Sequence, residues 1–508
     1  MTLSKTVNRL IRERDIIHLA ILLVIALGIG VYLITTTVAI TKDGVLYIQE
    51  ARKFSSEPQD VIKGLPFGYP LLIFAAHKLV NSLSDSSSLS TWIYSAQSIT
   101  LLCRLLALIP LYFIGKLLIG GKRSFWAILI LIILPYPAEF GSNVLREWPH
   151  ILFLASGFLF LIWAVKQDNY WMFGATGLAT GLGHIIRPEC AQLLIYGALW
   201  IFIRLFLPKP GMSRTKLLCA LSVLLIGFAI PAAPYMITRG KFLPEKLRAL
   251  ISPADPYESK KIQEPEINSG NNTYTAHSAP GKIAKAIGEL AVVMSENLMY
   301  FFVPVLLIGI YFHFRKQSTA MEIEMFFVPA FAALNIVMLI ALYYLWGYIS
   351  RRHCMPLVVF TIFYVPIGLE VSAGWLANRF SKCRPASSQD RRLWFFILLI
   401  TGTAICLPKL LKHPGADKQG YITAAAWLRE NTTQEDLIAS PDSRITFYAE
   451  RKGLIYDAEP TTQAEYVVII VKNENEKPDF AGAAKEDYSV WVDKHKKNMK
   501  LVIYKMPL

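Results

Sequence analysis

Apolar runs close to the width of a bilayer recur along the chain, separated by short polar turns, and this alternation limits the possible folds more than any other feature. A helix needs roughly 20 mostly apolar residues to cross about 30 Å of hydrocarbon, and helices satisfy their own backbone hydrogen bonds there. Eleven such runs are predicted as spans: 16–37, a second from near 92 to 116, 125–137, 151–165, 170–186, 190–206, 217–237, 300–314, 325–348, 355–369 and 394–407. Apolar residues make up 54% of the 508 and charged ones 18%, with a mean hydropathy of +0.40. These values exclude an ordinary soluble domain and indicate a polytopic α-helical membrane protein.

The distribution of charge sets the orientation. The net charge of +15 is not read as a nucleic-acid signal, because Lys and Arg concentrate in alternate loops: MTLSKTVNRLIRERD, the turn after 116, RLFLPKPGMSRTK and the loop ending QDRR. By the positive-inside rule these are cytoplasmic. The first run has no small-residue cleavage site and reads as a retained span rather than a signal peptide. The opposite side then receives the first loop (38–91), AEFGSNVLREWPH, the RPE motif at 187–189, the long loop 238–298, YISRRHC and everything after 409. Residues 66–79, broken by Gly68 and Pro70, read as a re-entrant or surface segment, and the long loop as a lid or acceptor platform. The chain thus divides into a transmembrane domain, 1–408, and an extracytoplasmic domain, 409–508. The latter has the pattern helix 421–430, strand 436–439, helix 442–451, strand 465–471 and strand 500–504, a small α/β unit. Six cysteines stand singly, without a CxxC, so neither a disulfide framework nor a zinc site is expected. Few external cysteines and a compact external tail favour a bacterial inner membrane, N-terminus inside and C-terminus outside. In a eukaryotic lumen, Asn271 and Asn431 would stand in glycosylation sequons.

The polar stretch 41–73 follows the first span directly. Val45, Ile48, Ala51 and Phe54 recur at helical spacing, and Asp43, Tyr47 and Glu50 share one side of that helix. Asp43 is therefore either an N-cap or a carboxylate aimed at the membrane boundary. Three more polar clusters fall on the same side: Arg146 with Glu147, Arg187 with Glu189, and Arg351 and Arg352 with His353. Any one arginine reads as an interfacial anchor or salt bridge. Several of them around an acid, at the ends of spans where charge is costly, suit a lipid phosphate, whose oxygens a guanidinium fork binds in pairs. The carboxylate can take a proton from an attacking hydroxyl.

On these residues a resemblance becomes specific. DGVLYIQEARKF followed by GLPFGYPLLI resembles the first external loop of the GT-C membrane glycosyltransferases, the group that includes protein O-mannosyltransferases and the lipid A aminoarabinose transferase. LREWPHILFLASGFLFLIWAV, GLATGLGHIIRPECAQLLI and YISRRHCMPLVVF are similar to later segments of that group, in order. AAAWLRENTTQEDLIAS and ITFYAERKG resemble its C-terminal external domain. The resemblance implies a sugar donor on a polyprenyl phosphate, a lipid, glycan or protein acceptor, inversion at the anomeric carbon, and Asp43 as catalytic base. It also implies a phosphate held by Arg187, Arg351 and Arg352, orientation of Asp43 or the sugar by Tyr47 and Glu50, and either task for Arg146, Glu147 and Glu189. Two features depart from the group. Several relatives carry an Asp-Glu pair where this chain has Asp43 and Gly44, leaving the second acid to Glu50, Glu57 or Asp60. Some relatives use a divalent metal, but no His and carboxylate set here has ligand spacing, His184 and His353 read as packed or interfacial, and no metal is predicted. Competing readings are a flippase or transporter of a lipid-linked sugar and a non-catalytic sensing scaffold. The absence of repeated halves with broken midplane helices argues against transport.

Overall fold

The computed structural model describes residues 12–84, 88–207, 212–240, 279–315, 322–380, 387–456, 464–472, 484–493 and 498–507. The basic residues 1–11, the stretch 241–278 of the expected lid with Asn271, and Cys383 lie outside the described residues.

The first span is α1 (Glu13–Thr35). The first loop then folds as three helices, α2 (Lys42–Lys53), α3 (Pro58–Gly64) and α4 (Gly68–Ser84). The bundle continues with α5 (Leu89–Ile119), α6 (Gly121–Ile133), the short α7 (Pro135–Phe140), α8 (Glu147–Lys166), α9 (Tyr170–His184), α10 (Gln192–Phe206) and α11 (Arg214–Arg239). After the undescribed loop come α12 (Ala279–Asn297), α13 (Phe302–Arg315), α14 (Glu322–Trp346), α15 (Met355–Thr361), α16 (Val365–Phe380) and α17 (Ser388–Leu410).

All eleven predicted spans are helical, yet among the described residues eight helical segments are long and apolar enough to cross a membrane alone, or nine if the pair α12 and α13, bent by 105°, counts as one. The eleven expected spans differ in length: α6, α9 and α13 have 13, 15 and 14 residues. At 1.5 Å per residue these rise only about 20–23 Å. Proline sets two of the limits: Leu134 before Pro135 and Arg187 before Pro188 both take extended backbone, as a pre-proline residue prefers. Before α13, Met299 and Tyr300 both adopt positive φ, 53° and 57°, and the chain turns sharply.

The most enclosed helices are α5, α8 and the α15–α16 pair. They meet in a core that includes Leu108, Leu111, Ile130, Phe158, Phe331, Phe360 and Phe363. The peripheral helices turn apolar faces outward, with Val24 68% and Ile230 65% exposed, the pattern of a lipid-facing surface.

The C-terminal domain comprises α18 (Gln419–Asn431), β1 (Leu437–Ser440), α19 (Ser443–Ala449), β2 (Lys452–Ile455), β3 (Tyr466–Val471), β4 (Lys485–Trp491) and β5 (Lys500–Lys505). The sheet order is β2-β1-β3-β5-β4, with β1 parallel to β2 and β3, and β5 antiparallel to β3 and β4. Neither β2 nor β4 is among the strands expected from the sequence. Lys452–Ile455 is a four-residue edge strand, exposed throughout, and β4 opens on Lys-Glu-Asp, so neither shows a buried alternation. Tyr421, Ala424 and Leu428 of α18 pack against Ile438, Val468 and Ile503 of the sheet. The domain is docked on the bundle: Ile40 N–H donates to the Tyr448 hydroxyl at 3.0 Å and Val38 N–H to the Pro414 carbonyl at 2.9 Å. Phe447 joins Val45, Ile48, Ala51, Tyr69, Ile73 and Trp92 in a second core beneath the first loop.

Candidate active site

Thr41, not Asp43, caps α2: its hydroxyl accepts from Gly44 N–H at 3.1 Å. The N-cap reading of Asp43 is thereby corrected, and its carboxylate is free of the helix end. That carboxylate instead forms an ion pair and hydrogen bond with Arg352, just ahead of α15. The start of α2 is held by the turn at 143: Thr41 and Val144 N–H both donate to the Asn143 side-chain oxygen, at 3.4 and 2.9 Å. Gly44 lies so close to that turn that an added Cβ would meet the Val144 Cβ at 2.8 Å and the Val144 carbonyl at 3.0 Å. This explains the missing second acid, since no side chain fits after Asp43. Gly68 makes a matching approach to the turn before RPE, with its N–H donating to the Ile185 carbonyl at 2.8 Å and 2.7 Å between a built Cβ and Ile186.

One turn along α2, buried Tyr47 stands against Tyr69 (ring centroids 5.1 Å apart) and under the Arg146 guanidinium at 5.8 Å. Burial pushes its phenol up to about 12, against the pull of Arg146, so it stays a neutral hydrogen-bonding group. Glu147 opens α8, where the helix dipole favours a carboxylate. It lies 3.6 Å from Arg187, which also approaches Glu189 at 3.4 Å. Arg187 and Glu147 are both buried, yet Nε and Nη1 of Arg187 and Oε2 of Glu147 have no hydrogen-bond partner among the described residues. Burial works against the charge on Arg352, but Glu147, Asp43 and Tyr47 outweigh it and raise its pKa. The same opposition raises Arg146, through Tyr47, Glu189, Glu147 and Asp43.

Asp43, Tyr47, Arg146, Glu147, Arg187, Glu189 and Arg352 therefore form one electrostatic cluster. The other two predicted residues point elsewhere. Glu50 is taken by Lys53, three residues on, at 2.8 Å. Arg351 turns away from its neighbour to pair with Glu296 at 2.5 Å and to cover Tyr136, 4.4 Å from the ring centre. His184 packs beside Phe228 and Tyr235, and the His353 ring nitrogen faces Ser350 N–H.

Two residues beyond those singled out from the sequence shape the site: Asn143, the organiser of the α2 start, and Arg104, fully buried in α5 beside Trp148, 5.7 Å from its ring centre. Asn143 stands inside the external turn already singled out. Arg104 is the one arginine in the interior of its apolar run, a signal that was legible.

The cluster sets three arginines against three carboxylates. Such a site has guanidinium edges for phosphate oxygens, a carboxylate for a hydroxyl proton and a neutral phenol for a sugar hydroxyl. In this arrangement each acid faces an arginine. Among the described residues no three His, Cys, Asp or Glu side chains are grouped to hold a metal.

No protein-family model and no curated protein sequence matches the chain. Solved structures do. The archaeal oligosaccharyltransferase AglB from Archaeoglobus fulgidus, in complex with an inhibitory peptide and a dolichol-phosphate, superposes with a TM-score of 0.57 at 13% identity, over 90% of this chain and 69% of that one. A second structure of the Archaeoglobus fulgidus enzyme, in complex with Zn and sulfate, gives 0.51. ArnT from Cupriavidus metallidurans bound to undecaprenyl phosphate gives 0.56 at 10% identity, over 95% of this chain and 97% of that one. At such identities the likeness speaks to architecture: the chain has the GT-C fold, a membrane helical bundle carrying a small α/β domain at its C-terminus.

Proposed function

We propose that the protein is an integral-membrane glycosyltransferase that moves a sugar from a polyprenyl-phosphate donor to an acceptor hydroxyl, inverting the anomeric carbon, with Asp43 as base. The observation that carries this reading is the Asp43–Arg352 pair, set among Arg146, Arg187, Glu147 and Tyr47. Support comes from the shared fold, since AglB and ArnT bind a dolichol-phosphate and undecaprenyl phosphate respectively.

In this reading the donor phosphate competes with Asp43 for the Arg352 guanidinium. Once the phosphate is seated, the freed carboxylate faces the acceptor hydroxyl. The acceptor oxygen bonds to the anomeric carbon as the bond from that carbon to the phosphate oxygen breaks, the electron pair leaves with the lipid phosphate, and the hydroxyl proton passes to Asp43. Charge builds on the departing phosphate, so arginines that meet it there stabilise the transition state more than the bound donor. Nε and Nη1 of Arg187, which face Glu189 and Glu147 at 3.4 and 3.6 Å without a hydrogen bond, are suited to turn to that task. Arg351 and Glu50 take no part in it. The acceptor is a lipid, glycan or protein hydroxyl on the extracytoplasmic side, in a bacterial inner membrane with the N-terminus inside.

The test is release of free lipid phosphate from a panel of radiolabelled polyprenyl-phosphate sugars by protein in nanodiscs, with wild type and Asp43→Asn side by side. Loss of a general base lowers rate by about 10²–10⁴-fold. A drop of that size with donor binding retained is expected, and undiminished release by Asp43→Asn would remove the carboxylate from the mechanism.

A further inference from the structure

A polar cleft lies apart from the Asp43 cluster, none of whose residues lines it. Its volume is about 310 Å³, and its charged lining is Arg351, Lys409, Lys412, Glu139 and Asp417, with Tyr136 at its wall. Leu33 at the outer end of α1 and Leu410 at the end of α17 also line it, so it opens where two membrane-length helices leave hydrocarbon. That is the depth of lipid headgroups.

The chemistry of the lining is specific. Tyr136 meets two cations, with the Arg351 guanidinium 4.4 Å and the Lys409 ammonium 4.0 Å from its ring centre, and its hydroxyl is bonded by Lys409. Lys412 is exposed, and its ammonium makes no ion pair among the described residues. Glu296 already pairs with Arg351 and Lys418 lies 3.9 Å from Asp417, so four cations against three carboxylates leave one net positive charge, which one phosphodiester neutralises. The Glu139 and Asp417 carboxyl groups remain as hydrogen-bond partners for hydroxyls. Burial, with Asp417 beside it, raises the pKa of the Glu139 carboxyl, although Arg351, Lys409 and Lys412 oppose it. None of these groups belongs to the Asp43 cluster. Arg351 and Arg352 are consecutive, about 3.8 Å apart at Cα, and face the two sites separately.

We propose that this cleft binds the phosphodiester head of a membrane lipid that carries free hydroxyls, as in a glycerol or sugar head, at a site distinct from the Asp43 cluster. The cations hold the phosphate, Glu139 and Asp417 take the hydroxyls, and the acyl chains leave beside Leu33 and Leu410. A choline head has no hydrogen to donate to either carboxylate and is disfavoured. The site stands whether or not the Asp43 cluster is a transferase centre.

The test is equilibrium binding of short-chain phosphatidylglycerol, short-chain phosphatidylcholine, glycerol phosphate and inorganic phosphate to the full-length protein in detergent. Phosphatidylglycerol is expected to bind at least about tenfold more tightly than phosphatidylcholine, Lys412→Glu to weaken it about tenfold, and Asp43→Asn to leave it unchanged. Because Lys412 is exposed, its replacement leaves the fold intact, which the thermal unfolding curve checks. Equal affinity for the two lipids, or no effect of Lys412→Glu, overturns the proposal. Glycerol phosphate or phosphate binding as tightly as the lipid overturns its membrane source, and loss of binding in Asp43→Asn overturns its separateness.

Discussion

Arg187 shows how much of the site depends on compensated charge. It and Glu147 have side chains 7% and 5% exposed, 3.6 Å apart. Removing one partner of a buried pair leaves the other charged and unsolvated, at a cost of about 3–5 kcal/mol. Arg187→Ala is accordingly expected to lower the thermal unfolding midpoint in detergent and to weaken titrated polyprenyl phosphate. Arg187→Ala protein that is as stable and binds as tightly as wild type would show the pair to be ornamental. The residues themselves were legible in the sequence, because charge at the end of a span is costly and stands out. Their directions were not. Arg351 and Arg352 are neighbours in sequence yet serve different sites, and Glu50 shares a helical face with Asp43 but is taken by Lys53, three residues on.

At the scale of elements, the position of α2 decides where Asp43 lies. Thr41 caps that helix, Asn143 ties down its start, and Gly44 allows it to press against Val144. A methyl at residue 44 falls 2.8 Å from the Val144 Cβ, closer than real Cβ atoms come, and 3.0 Å from the Val144 carbonyl oxygen, so α2 or that turn must shift. Gly44→Ala should cost about 1–3 kcal/mol, the usual range for overpacking, and should lower lipid phosphate release more than Lys53→Ala on the exposed face of the same helix. Equal release by the two variants would mean that the seat of α2 does not govern Asp43. A helix over 42–53 was evident from its spacing; its seat was not, since Gly44 meets a turn 100 residues away.

For the molecule as a whole, the docked C-terminal domain fixes a relation that labelling can check. Lys53 and Lys452 are exposed on α2 and β2, and Arg391 is exposed near the other end of α17. With the native thiols replaced, single cysteines at 53 and 452 should react with an impermeant maleimide from one side of the membrane, and a cysteine at 391 from the other. Labelling of 53 and 452 from opposite sides would break the docking described above. The sequence by itself determined the medium, the order of the helices, the polar residues at the ends of the spans and the existence of a small α/β tail. These follow from local hydrophobicity and charge, which each segment carries with it. Only the tertiary structure decided which helices are too short to span alone, where β2 and β4 lie, and which acid meets which arginine. Those depend on contacts such as Asp43 with Arg352, 309 residues apart, and no local pattern encodes a meeting at that distance.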